Sequence, residues 1–488
     1  MKSINFAGPS LLKIVAAGLV CLSPLLSTNW VSVLAQTYGG GDGGDGGGDA
    51  PMFENPNDNP ARANFNSTFE AVGNACPALA TADPASLTQD QQQFLQVCTD
   101  ILNVDPNRPQ LTQAQQTAAF NALTGDELAA PQTNSNDIAN VQMRNVAGRL
   151  RAIRGGAGGI SVTGLGFGSG ESQIAAAALQ NMLENVIGGA AGEAGLSSRW
   201  GLFINGNLSF GEKDDTILEA GFDFDTFGVT AGVDYRFSNN LFGGIAIGYG
   251  SSESDFYSNG GDLESDGYTL SAFTSYYRDA LYLDAIFNYG TSEHDSDRRI
   301  FFDSQSGAIN NTASGSTDGT QRSLGLETGL NLENGGWTFS PNLSLFYSDV
   351  DIDSFRERGS ALGLAFSDQG IESLTLGAGL AAVYSYSTEW GVLRPQLRAD
   401  FIREMEDDAQ IINYRFLSEP FANDPSAPVF PWPLKTDAPD KDYFLLGIGV
   451  SAQFRGGVSG FVDWQSLQGY NDLQVDSVTF GLRWEAAF

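Results

Sequence analysis

From Trp200 to Phe488 apolar and polar positions alternate one for one. The closing stretch shows this most clearly: Val478, Phe480, Leu482, Trp484, Ala486 and Phe488 share one face, and Ser477, Thr479, Gly481, Arg483 and Glu485 share the other. The stretch after Val392 repeats the split, with Leu393, Pro395, Leu397, Ala399 and Phe401 against Arg394, Gln396, Arg398 and Asp400. A period of two belongs to an extended strand, whose successive side chains point to opposite faces. An apolar face backed by a charged one over such a length predicts a strand standing between lipid and a watery lumen. The whole region then reads as about twelve such strands.

The connections support the same reading. Ser238 with Asn239, Arg278 with Asp279, Glu333 to Gly335, Ser387 to Glu389 and Arg455 to Gly457 are tight turns, and longer polar stretches fall between them at 211–221, 251–266, 291–320, 352–371 and 406–440. Short and long connections alternate in outer-membrane barrels, the short turns lying on the periplasmic side and the long loops outside. The fold class is therefore all-β: a 12-stranded antiparallel transmembrane β-barrel over residues 196–488. Trp200, Phe237, Tyr249, Tyr276, Tyr384, Tyr386 and Trp390 sit near strand ends and read as interfacial girdles.

Upstream the period lengthens. Ser86 with Gln89 and Thr112 with Gln115 have the spacing of capping boxes ahead of Phe94, Val97, Cys98, Ile101 and of Ala118, Phe120, Leu123, and a third stripe runs through Ile138, Val141, Val146, Leu150 and Ile153. Residues 65–154 thus form a small helical region. Residues 155–172 are a Gly-rich linker, and the Ala-rich run over 173–195 is a strong helix former slender enough for a pore. The Gly/Asp/Asn/Pro-rich stretch 36–64 lacks the apolar residues a core needs and reads as a flexible leader rather than a calcium-binding repeat.

The first residues add export. Lys2 and Lys13 precede an apolar run from Ile14 to Leu22, and Val33-Leu34-Ala35 supplies small cleavage residues, so residues 1–35 read as a signal peptide for the Sec translocon. Loss of Cys21 with that peptide leaves Cys76 and Cys98, an even pair in an oxidising compartment, as a disulfide. With 58 acidic against 25 basic residues and a net charge of -33, nucleic acid is excluded as a partner.

Signal peptide, helical region, Ala-rich helix and a barrel ending in Phe488 occur in the order of a type V autotransporter, and the chain resembles that family. The resemblance implies that residues 65–154 are a passenger, that the helix 173–195 occupies the pore, and that the barrel anchors or translocates the passenger to the cell surface. It also implies that Phe488, with Trp484 on the same face, is the signal read by the barrel-assembly machinery. Outer-membrane lipid and an unidentified extracellular molecule complete the expected partners. The alternative is a porin-like channel with a periplasmic helical region.

Candidate chemistry is sparse. No Gly-x-Ser-x-Gly elbow is present, and His294, the only histidine, falls in the acid-rich stretch 291–320 beside Glu293, Asp295 and Asp297, where it reads as a solvated loop residue. No cofactor or metal motif is found, and the chain is expected not to be an enzyme. Arg394, Arg398, Asp400, Arg403, Glu404, Arg483 and Glu485 are expected to form a charged lumen cluster that braces the pore.

Overall fold

The computed structural model describes residues 63–103, 107–154, 160–163, 200–419, 430–454 and 458–484. Twelve long strands follow in order: β1 (Trp200–Lys213), β2 (Phe222–Arg236), β3 (Leu241–Phe256), β4 (Gly261–Arg278), β5 (Leu281–Ser304), β6 (Gly307–Leu330), β7 (Trp337–Ile352), β8 (Gln369–Tyr384), β9 (Gly391–Glu404), β10 (Asp442–Phe454), β11 (Val458–Gln468) and β12 (Leu473–Trp484). Each pairs antiparallel with the next, and β12 returns to β1 through Leu473↔Lys213 to Thr479↔Asn207. The ring is a closed 12-stranded barrel, as the alternation predicts. Closure satisfies every strand edge, the condition for β-structure in lipid.

Outward positions carry the apolar belt: Ile245 and Ile247 on β3, Leu283 and Phe287 on β5, Leu397 and Phe401 on β9, Ile448 and Val450 on β10 are all exposed. Toward the long connections Tyr249 and Tyr268 meet at 5.3 Å; at the other end Trp337 meets Tyr384 at 4.9 Å and Trp390 meets Phe454 at 5.4 Å. Aromatic rims of this kind mark the two membrane interfaces.

Two of the five expected long loops are strand instead. β3 and β4 carry 251–256 and 261–266, joined by a short turn, and the 24-residue strands β5 and β6 pair without a break from Leu281↔Leu330 to Ser304↔Gly307. About 9–11 residues cross a bilayer, so these hairpins rise far above it. Outside lipid no face has to be apolar, and the alternation fades while the ladder continues. Four short strands, Phe355–Arg356, Leu364–Phe366, Ile411–Phe416 and Trp432–Lys435, form a separate antiparallel sheet above the barrel.

The helical region follows the sequence in content and departs from it in placement. Helices α1 (Ala63–Thr81), α2 (Gln89–Ile101) and α3 (Gln113–Thr124) do not form a bundle with a core of its own. Phe94 of α2 packs on Phe416 at 5.1 Å, the Thr68 hydroxyl meets Tyr414 Oη at 2.8 Å, and one continuous core joins Leu79, Phe120 and Leu123 to Ile300, Phe302, Phe366 and Leu434. The helices are a cap fused to the barrel's own upper loops. Asn64 stitches its end, donating to the Leu218 and Lys435 carbonyls at 2.8 Å and accepting from Lys435 N–H at 2.7 Å.

Thr112 and Gln115 form the expected capping box. The other box belongs to Thr88 and Gln91, two residues later than expected, because Pro84 starts a 3-10 turn in which Ser86 Oγ donates to the Asp83 carbonyl. Cys76 and Cys98 are disulfide-bonded, tying α1 to α2; closing a loop of this length contributes roughly 3 kcal/mol.

The largest departure is the fourth helix, α4 (Ala130–Arg154). Read from sequence as part of the passenger, it lies inside the barrel. The segment 173–195, expected to occupy the pore, lies outside the described residues, as do 1–62. Residues 160–163, expected as part of the Gly-rich linker, form a strand in the wall: Ile160–Val162 run parallel to Leu202–Ile204 of β1, and Val162 and Thr163 pair antiparallel with Leu482 and Gly481 of β12.

Candidate functional site: the occupied lumen

α3 ends at Gly125, whose φ of 72° lets the chain turn from the cap into the barrel. A residue with Cβ there would strain the backbone and strike Leu364. A short 3-10 turn, Asp126–Ala129, leads into α4. The helix then descends toward the short turns, and one face is hydrogen-bonded to the wall along its length. Asn134 donates to Ser265 Oγ at 3.3 Å and accepts from Ser254 at 3.0 Å, Gln142 donates to Ser271 at 2.7 Å, Asn145 donates to Thr230 at 3.1 Å, and the Asn205 amide donates to the Asn145 carbonyl at 2.6 Å. Buried amides and hydroxyls without such partners would each cost about 1–3 kcal/mol, so the pairing fixes the helix's rotation and depth. The wall makes room with glycine: a Cβ at Gly228 would overlap Val141, and one at Gly248 would overlap the Gln142 amide.

One buried ion pair holds the lower end of this plug, and a second lies above it where the cap meets the barrel mouth. Near the short turns, Arg149 is 1% exposed, donates through Nε to Asp234 Oδ2 at 2.8 Å and lies over the Phe203 ring at 5.3 Å. At the mouth, Arg298 of β5, also 1% exposed, forks onto Glu357 with two bonds of 2.8 Å and reaches the Leu362 and Ala122 carbonyls. Asp126 and Glu127 stand beside it. Burial, with Asp126 next to it, lifts Glu127 to about 8, and burial also lifts Asp126 to about 6. Both carboxyls therefore take up protons on folding. Stabilisation from Glu127 is complete below its ordinary 4.5 and is lost as pH rises through about 8. The cap is accordingly expected to resist protease to a higher temperature at pH 5 than at pH 9 in detergent solution; equal resistance, or the opposite order, would contradict the placement of Glu127.

The expected lumen cluster is only partly assembled. Arg398 faces inward between Asp400 at 3.4 Å and Asp463 at 3.5 Å, and Arg394 shares its face. Glu404 also points in, accepting from Ser373 Oγ at 2.7 Å and Leu374 N–H at 2.9 Å. Arg403 does not belong with them: it shares the outer face of Phe401 and pairs with Asp442 at 3.5 Å, both about half exposed at the upper rim. The inward series ends in Ile402 and Glu404, so an odd-numbered arginine has to point out. The Arg483 and Trp484 side chains, Glu485 and Phe488 lie outside the described residues.

His294 is not a solvated loop residue. It sits on β5 above the apolar belt, 2% exposed, with Nδ1 2.8 Å from Ser265 Oγ and Nε2 2.9 Å from Ser292 Oγ. Burial lowers it to about 4, which keeps it neutral. Glu293, Asp295 and Asp297 are on the opposite face of the strand. No group of acids, histidines or cysteines among the described residues could hold a metal ion.

Comparison with known families decides what this helix-filled barrel is: the autotransporter β-domain matches residues 202–465, more than half the chain. The chain belongs to the autotransporter β-domain family. This autotransporter is 28% identical over 231 residues to the esterase EstA of Pseudomonas aeruginosa, a match covering 46% of its own length and 34% of EstA, and 28% identical over 214 residues to the BmaC adhesin autotransporter of Brucella suis, covering 41% and 6%. It thus spans about a third of the first relative and far less of the second. Among solved structures it resembles the translocator domain of NalP from Neisseria meningitidis (TM-score 0.46, 19% identity, 65% of this chain and 98% of that one) and the transport unit of AIDA-I from Escherichia coli (0.38, 14%, 64% and 98%). The autotransporter is an outer-membrane barrel that anchors or translocates a passenger, and the porin alternative is not favoured.

Proposed function

We propose that this autotransporter keeps its short passenger permanently, as a non-enzymatic cap on the outer surface, with α4 left in the lumen as the last segment through. The observation that supports this is the direction of the chain: the cap lies at the long-loop end, and α4 leads from it toward the short turns with its polar side chains paired on the wall. The cap has no histidine, and its two cysteines are bonded to each other, so it holds neither a Ser–His nor a Cys–His pair. Delivery would use the Sec translocon and the barrel-assembly machinery, and the exposed helices would meet an extracellular molecule. The passenger domain is then 63–129, with 130–154 as the pore helix.

Gln93 is exposed on α2. In intact cells a Gln93→Cys variant is expected to react with a membrane-impermeant maleimide, and the labelled species is expected to run as the signal-cleaved full-length chain. Labelling only after outer-membrane permeabilisation would overturn display. A fragment beginning near Asn181 or Asn185 would overturn permanent attachment.

A further inference from the structure

The hairpins that β4, β5 and β6 raise above the membrane carry a groove of about 380 Å³ on their outward face. One wall is acidic. Asp262 of β4 stands directly opposite Asp297 of β5, and Glu264 stands opposite Asp295, all of them exposed. The other wall is basic: after β7 the chain runs along β6 and sets Arg358 opposite Ser314, with Arg356 on the same exposed side. Between the walls lie Ser314, Gly315 and Ser316, which are too short to bridge them.

The two signs do not meet. From Asp297 across Ser314 to Arg358 is two strand spacings, ~10 Å between backbones. Arg322 and Asp349, on neighbouring strands of the same face, do pair at 3.3 Å. Among the described residues Asp262, Asp295, Asp297, Arg356 and Arg358 form no ion pair. Carboxylates placed directly opposite each other repel. Partial burial, with Asp297 and Asp255 beside it, accordingly pushes the Asp262 carboxyl up.

Height decides which molecules can reach the groove. Glu264 and Asp262 follow the Tyr268 rim up β4, and on a tilted strand they stand ~10–15 Å above it. Headgroups add only ~5–8 Å beyond the hydrocarbon edge, so the groove opens to solution above them. A ligand that fills it must carry an anion at one end and a cation at the other. Paired guanidinium forks suit a phosphate, and the acidic wall suits a primary ammonium, whose N–H donors can be shared among separate carboxylates. A quaternary ammonium has no such donors and relies on aromatic faces, which the groove lacks. The charges of a simple amino acid sit too close together to span the serines.

We propose that this groove binds a phosphoethanolamine-type zwitterion standing clear of the lipid headgroups, with its phosphate on Arg356 and Arg358 and its ammonium on Asp262, Asp295 and Asp297. The site belongs to the barrel's own hairpins and does not depend on what the cap helices meet.

The test is calorimetry on the full-length protein in phosphatidylcholine nanodiscs, with O-phosphoethanolamine as the probe. Binding is expected to saturate and to weaken as salt is added. Phosphocholine, inorganic phosphate and ethanolamine should each bind several-fold more weakly. An Arg356→Gln, Arg358→Gln variant and an Asp295→Asn, Asp297→Asn variant should each lose affinity several-fold while keeping the heat-dependent gel shift of a folded barrel. No binding of the probe, equal binding of any of the other three compounds, or unchanged affinity in either folded variant would overturn the proposal. So would loss of probe binding in phosphatidylethanolamine nanodiscs, because the lipid headgroup itself would then fill the groove. If neither variant folds, the comparison of the four compounds on the unaltered protein decides the matter alone.

Discussion

Replacing Arg298 by leucine is expected to cost the cap about 3–5 kcal/mol, because it leaves a buried carboxylate without its partner. Glu357, 1% exposed, would keep only the Leu364 N–H at 2.7 Å, with Asp126 and Glu127 adding to the acidic surroundings. The barrel below has its own ladder and belt and should stay folded. The measurement is paired: heat-dependent gel mobility reports the barrel, and the onset of protease cutting in α1 to α3 reports the cap. The first should hold while the second falls to lower temperature. Adding Glu357→Leu to the variant should recover part of the loss, since the uncompensated charge goes with it. Equal cap resistance in the Arg298→Leu variant and the parent would show that the pair contributes nothing.

Arg149→Leu is the corresponding change at the lower end of the plug, with an expected cost of similar size. Here the strain falls on the seat of α4. Asp234 would be left buried, and the contact of Arg149 with the Phe203 ring would be lost. The cap should keep its protease resistance while brief, large conductance events become more frequent in bilayer recordings, as the lower turns of α4 leave the wall. A recording indistinguishable from the parent would mean that the amide and hydroxyl contacts higher up hold the helix without the ion pair.

The barrel was legible because lipid enforces the alternation. Leu397, Ala399 and Phe401 could be assigned outward from sequence, and they are exposed there. Placing Arg403 in the lumen departed from that rule, which puts the odd-numbered positions of β9 outside, and beyond the lipid the stretch 291–320 read as loop although its two halves pair as strands. The position of α4 was harder to see. Its apolar residues make an ordinary amphipathic stripe, which in water would predict a bundle. What set it apart were the amides on the same side, Asn134, Gln142 and Asn145, which a dry core would not tolerate and a serine- and threonine-lined lumen satisfies. The inward glycines at 228 and 248 are the matching signal in the wall, and pairing the two sets would have located the helix. The fusion of cap and loops had no local signature, because Phe94 and Phe416 are equally apolar whether they meet each other or another residue.

The strand Ile160–Thr163 has a consequence for the order of events in assembly. One of its edges belongs to the first wall strand and the other to residues at the far end of the chain, Gly481 and Leu482. The lower part of the ring therefore cannot be completed until the last strand has been delivered, and when it is completed the segment just below the plug is sewn into it. Threading a helix through a finished ring would need this seam to be undone. In the finished ring the segment below the plug is thus part of the seam that unites the two ends of the domain, and a plug entering a standing pore would have to break that seam.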